Sequence, residues 1–142
     1  MASFFSRMAK ALEKLNHQPN ALVSFRVFPL REKRWELQFR YRCAVELGQL
    51  GPDAEPAVPD LIAILKDTEA PQISEHLVGI DRKAWQKSMS DWQRWLRCAA
   101  ARSLGQIGPR ASESVPALSE ALNDTEPAVR EAAAKALLKI QQ

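Results

Sequence analysis

Long hydrophobic runs are missing from this 142-residue chain. Nowhere does it approach the about 18–20 consecutive apolar residues of a bilayer-crossing helix, so no membrane is expected among its partners. The opening MASFFSRMAKALEKL breaks its apolar pattern with Arg7 and Lys10 and reads as a helix, not a signal peptide. Cysteine is scarce: Cys43 and Cys98 lie far apart, and two thiols build neither a disulfide framework nor a zinc site. A cytoplasmic location is expected. The two histidines, His17 and His76, have no Cys/His/Asp/Glu cluster at ligand spacing, although Glu75 adjoins His76; no metal and no acid–base pair is assigned to them. G-x-S-x-G, Walker, H-E-x-x-H and dinucleotide motifs are all absent. Acid pairs such as Asp53/Glu55 and Asp67/Glu69 sit at helix ends, where capping and solvation account for them. The expectation is a protein that is not an enzyme, with no cofactor and no small-molecule substrate. Strand signals are confined to V-S-F-R-V-F at 23–28.

What the chain does have is a repeat. L-G-Q-L-G-P at 47–52 returns as L-G-Q-I-G-P at 104–109, an offset of 57. The same offset aligns Val58-Pro59 with Val115-Pro116, Leu61 with Leu118, Leu65 with Leu122, D-T-E at 67–69 with D-T-E at 124–126, Trp35 with Trp92 and Arg40 with Arg97. A second offset of 33 carries Asp91 to Asp124, Arg97 to Arg130, Ala100 to Ala133, Leu104 to Leu137 and Ile107 to Ile140. The unit is thus about 33 residues long, and one copy has taken in the remaining 24 as an insertion.

Each unit reads as a helical hairpin. A short first helix, at 57–66 and again at 113–123, carries proline in its first turn, where a missing N–H costs nothing. A longer second helix follows, at roughly 31–50, 92–107 and 127–141, and Gly51-Pro52 and Gly108-Pro109 end the first two. Runs of alanine at 99–101 and 132–134 let neighbouring helices approach closely. An apolar stripe of Phe4, Phe5, Met8, Leu12 and Leu15 supplies a first helix over 3–16, followed by a long connection at 17–30. The expected fold is one all-α domain over 1–142, a right-handed α-α superhelix of about three hairpins (about 3–50, 57–107 and 113–141) with an insertion at about 68–91.

The spacing Asp…Val-Arg…Ala…Leu…Ile, read at Asp124, Val129, Arg130, Ala133, Leu137 and Ile140 and again at Asp91, Leu96, Arg97, Ala100, Leu104 and Ile107, resembles the HEAT repeat in its short, bilin-lyase-like variety. That resemblance implies hydrogen-bonded ladders between stacked repeats built from Asp91, Arg97, Asp124 and Arg130. The first copy departs from the pattern, with Arg40 present but arginine at position 34 in place of aspartate.

Charge alternates in blocks. Residues 1–47 hold nine Lys/Arg against four acids, 48–80 one against six, 81–112 seven against two, and 113–142 three against five. The basic blocks coincide with the second helices of the first two hairpins. In HEAT-like solenoids those helices line the concave face, so the resemblance implies a basic groove there. On the helix at 92–107, Arg94, Cys98, Arg102 and Gln106 recur every fourth residue off the core stripe; Glu131, Lys135 and Lys139 continue the lane, and Arg34 and Tyr41 fall nearby. Of the four tryptophans, Trp35 and Trp92 match each other through the repeat, whereas Trp85 and Trp95 have no counterpart and either anchor the insertion or meet a partner.

The candidate partner-binding residues are therefore Arg34, Tyr41, Trp85, Arg94, Trp95, Arg102 and Lys135. The function expected is a protein-interaction scaffold that presents this groove and the inserted loop to another protein with an acidic surface. Nucleic acid on the same basic face stays open as the alternative. An enzyme of bilin-lyase or glycosylase type would rest on family analogy alone, with no catalytic group to nominate.

Overall fold

Gly51 and Gly108 punctuate the chain. Their φ angles of 60° and 74° lie in the left-handed region that side chains disfavour, and each stands where one helix gives way to the next segment. The computed structural model describes residues 37–70, 72, 79 and 81–142. The expected helix at 3–16, the connection at 17–30, both histidines, Arg34 and Trp35 lie outside the described residues. Five α-helices are described: α1 (Leu37–Gln49), α2 (Val58–Lys66), α3 (Arg82–Ile107), α4 (Val115–Ala121) and α5 (Pro127–Ile140). Two 3-10 segments, Gly51–Ala57 and Gly108–Ser114, fill the junctions where the sequence predicts a plain stop. Proline at the start of each segment lacks an N–H that no helix there would use, so the chain tightens without an unmet donor.

The helices form two layers. In one, α1, α3 and α5 lie side by side; in the other, α2 packs on α4, and each short helix covers the long helix that follows it. This is an α-solenoid. Between the layers Leu47, Leu61, Leu65, Leu96, Leu104, Ile107, Leu118 and Val129 are fully buried. Burial of each leucine or isoleucine contributes about 1.5–3 kcal/mol, so this seam supplies most of the driving force.

Neighbouring long helices come close because small residues separate them. A Cβ on Gly105 would sit 2.9 Å from the Ala136 backbone Cα, and one on Gly48 would sit 2.6 Å from Ser103 Oγ. The Ser103 hydroxyl donates across that same junction to the Ala44 carbonyl at 2.6 Å.

Helix α3 starts ten residues earlier than the repeat predicts, at Arg82 instead of 92. The Asp81 carboxylate accepts from the Lys83 and Ala84 amides, both at 3.1 Å, and so satisfies two of the orphan donors of the first turn. Lys87 and Arg94 then both pair with Asp91, at 3.3 and 3.0 Å, one turn to either side. Trp85, Met89 and Trp92, at i, i+4 and i+7, are half-buried on one side. The second part of the expected insertion is therefore an extension of the stack's own helix.

Gly105→Val should lower stability by about 1–3 kcal/mol, because the added carbons meet backbone that cannot rotate away. Urea unfolding checks this, as a lower midpoint at an unchanged slope.

Candidate functional site

Successive residues of a helix turn by about 100°, so Trp85, Trp92, Trp95, Ala99, Arg102 and Gln106 fall in one stripe along α3. Trp92 is its fixed point. Tyr41 of α1 meets the Trp92 ring edge-on at 5.9 Å between centroids, and Trp95 meets it from the other side at 4.8 Å and 85°. Edge-to-face contacts of this kind hold each ring at a set angle. Tyr41 and Trp92 are half-buried against the core, while Trp95 is 43% exposed. Trp85 lies two turns before Trp92 and is half-buried.

Two turns beyond Trp95, Arg102 stands at a groove of about 410 Å³ between α3 and α5. Gly105, Ala132 and Ala136 form its narrow apolar floor; Gln106, Lys135 and Lys139 stand along its sides and Leu138 at its lip. The floor is shallow in side chains for the same reason that the helices touch there. Lys135 donates to Glu131 at 2.6 Å. That hydrogen bond, then the Lys135 charge, holds the Glu131 carboxyl below its usual range, and Arg102 adds to the effect. Among the described residues, Arg102 and Lys139 have no ion-pair partner.

The arginine lane expected from spacing is only partly exposed. Arg94 turns sideways and bridges helices, to Asp91 at 3.0 Å and to Glu126 at the start of α5 at 3.6 Å. Cys98 is buried, not part of the outer lane; the contact surface between α3 and α5 is wider than the four-residue core stripe implies. Burial pushes the Cys98 thiol up, against the opposing pull of Arg102, Arg97 and Arg94. Desolvation wins there, so the thiol is not a poised nucleophile despite three nearby guanidiniums. Arg34 lies outside the described residues.

Arg97 points inward instead. Its Nε donates to the Leu65 carbonyl at 3.1 Å, and Nη1 and Nη2 engage the two carboxylate oxygens of Asp124, the former at 3.4 Å. Arg130 reaches the backbone of the same turn, donating to the Asp124 carbonyl at 2.7 Å. Asp91 is a correction: it lies within α3, pairs with Lys87 and Arg94, and makes no rung with Arg97. Asp67 takes the place expected for it. Its separation from Arg40 equals that of Asp124 from Arg97, and its charge supports an Arg40 guanidinium whose pKa burial lowers. Gln93 fastens the same turn, donating to the Asp67 carbonyl at 2.8 Å.

Sequence reasoning passed over Leu138 and the groove floor. The signal for Leu138 was present, since it falls off the stripe of Val129, Ala133, Ala136, Leu137 and Ile140 and is exposed. Among the described residues no group of three His, Cys, Asp or Glu could hold a metal, and no helix is long and apolar enough to cross a membrane.

A family model described as HEAT repeats matches residues 83–142, and one described as PBS lyase HEAT-like repeat matches residues 39–67. No curated protein and no solved structure matches the chain. The longer match begins one residue into α3, and the shorter one runs from α1 to Asp67, taking in both Arg40 and its facing acid.

Two outcomes follow for the buried groups. Asp124→Ala strands the Arg97 guanidinium and should cost about 3–5 kcal/mol, read by chemical denaturation. Alkylation of Cys98 should be slow in the native protein at neutral pH and fast in denaturant, as mass spectrometry of the labelled chain would show.

Proposed function

Since the chain is a HEAT-like repeat protein, we propose that it works as a non-catalytic scaffold whose long-helix face receives an acidic segment of another protein. HEAT repeats in general serve protein–protein scaffolding, and stacked hairpins offer extended surfaces instead of a closed pocket. One observation carries the reading: an exposed tryptophan shares a face with two cations, Arg102 and Lys139, that have no ion-pair partner among the described residues. Trp95 is locked at a fixed angle by Trp92, so it can bury against a partner with little loss of rotamer freedom. Two turns along, Arg102 and Lys139 flank an apolar-floored groove that suits a side chain carrying or neighbouring a carboxylate. The extension of α3 over 82–91, with Arg82, Lys83 and Lys87 exposed, continues the basic character toward the inserted segment.

Nucleic acid is the second reading, favoured by the aromatic row beside arginine. Two observations weigh against it: Arg94 is already committed to Asp91 and Glu126, and Glu131 places a negative charge beside the groove. Both discourage a phosphate backbone more than a mixed protein surface.

Proteins captured from the native source by the wild-type chain should survive nuclease treatment. Trp95→Ala or Arg102→Glu should weaken that capture by about tenfold or more, as expected of a hot spot. Tight binding of short DNA or RNA in about 50 mM salt, weakening steeply with added salt and lost in Arg102→Glu, would replace the scaffold reading with the nucleic-acid one.

A further inference from the structure

The repeat supplies an internal comparison for the groove beside Arg102. The junction between α1 and α3 is the earlier copy of the junction between α3 and α5, and each sets a glycine, Gly48 and then Gly105, against the next long helix. The first junction is closed. The Gln106 amide and the Ser103 hydroxyl fill the space over Gly48, Ser103 donates to the Ala44 carbonyl at 2.6 Å, and Val45 packs against the core one turn earlier. All three positions differ at the second junction. Arg102 stands 57 residues on from Val45, and Ala136 and Lys139 stand 33 on from Ser103 and Gln106. Over Gly105 there is Ala136 and the stem of Lys139, whose Cδ lies 3.5 Å from the place of a Gly105 Cβ. The groove of about 410 Å³ is what this exchange leaves open. Packing does not call for the two cations, because the first junction stacks as closely without them.

Resting on the scaffold reading, we propose that this junction holds a linear segment of another protein in which one large apolar side chain stands between acidic residues. The groove assigns the two chemistries to different places. Its floor of Gly105, Ala132 and Ala136 offers no side-chain donor, so a carboxylate set there would lose its water with no hydrogen bond to replace it. An apolar side chain is stabilised by the same burial. The volume lies near the lower end of ligand pockets, which suits one such side chain and not a row of them. Carboxylates belong on the rim. Contacts of Arg94 with Glu126 and of Gly105 with Ala136 show that α3 and α5 run in the same direction. Arg102 therefore lies a turn before the Gly105–Ala136 contact on one wall, and Lys139 a turn after it on the other. An acid on each side of the apolar residue meets a cation of its own. Lys135 is already paired with Glu131, whose charge on the α5 wall opposes a run of phosphates.

Selection of random short peptides, displayed on phage, against the full chain tests this. The selected sequences should share a leucine, methionine, phenylalanine or tryptophan with aspartate or glutamate on both sides. A synthetic peptide of that sequence should bind about tenfold or more weakly once its apolar residue is changed to serine. Arg102→Val together with Lys139→Gln gives the second junction the rim chemistry of the first. The pair should weaken the same peptide at least about tenfold, with the circular-dichroism melt unchanged because both side chains are exposed. A selection that yields no shared sequence, or one without acids, overturns the proposal. So does a peptide that binds the double variant as well as the wild type, and displacement of the peptide by an equal concentration of short RNA would assign the groove to nucleic acid instead. Capture of a native partner that needs Trp95 yet withstands the double change also overturns the groove proposal, while leaving the scaffold reading in place.

Discussion

The Arg97 guanidinium is the tie on which the stack depends. From α3 it reaches the last turn of α2 through the Leu65 carbonyl and the turn before α5 through Asp124. One side chain thus fixes three elements from two successive hairpins. A buried ion pair of this kind adds little net stability, because desolvation offsets most of the attraction. What it supplies is register: hydrophobic seams of alanine and leucine tolerate a slide of a residue, whereas a two-pronged contact to one carboxylate does not. The close approach of Gly105 to Ala136 requires that register, and the shallow groove beside Arg102 exists only because of that approach.

The same geometry sorts the arginines of α3 by role. At 100° per residue, Arg97 faces the next hairpin and is buried, Arg94 lies at the edge and bridges to Glu126, and Arg102 emerges on the open face. Identical chemistry does structural work in one direction and remains available to a ligand in another. Trp92 divides the aromatics similarly, taking Tyr41 toward the core and presenting Trp95 outward.

Much of the architecture was legible because glycine and proline mark their places unambiguously. L-G-Q-L-G-P and its copy located both junctions, and the proline-led short helices followed. The rung was harder. Asp124 aligns with Asp91 at an offset of 33 and with Asp67 at 57, so one position had two candidate acids, one on either side of the insertion. Spacing cannot decide between them; the turn that closes α2 does, because it alone lies beside Arg40. The early start of α3 was hidden because residues 82–91 have no counterpart in the other copies, even though Asp81 caps them and Asp91 braces them from within. Cys98 was misplaced for a simpler reason: a long helix sandwiched between two others is covered on three sides, and a wheel drawn for one buried side leaves too much exposed.

The overhang of α3 gives the inserted segment an indexed mount. Its departure is pinned where Gln93 holds the Asp67 carbonyl, and its return enters through a helix cap ten residues beyond the stack's own start. Adding or removing one residue within 82–91 would swing the chain before it by about 100° and shift it about 1.5 Å, while the buried contacts of α3 from Gln93 onward stay in place. A change of length in this segment therefore re-aims the chain that leads into α3 in discrete angular steps.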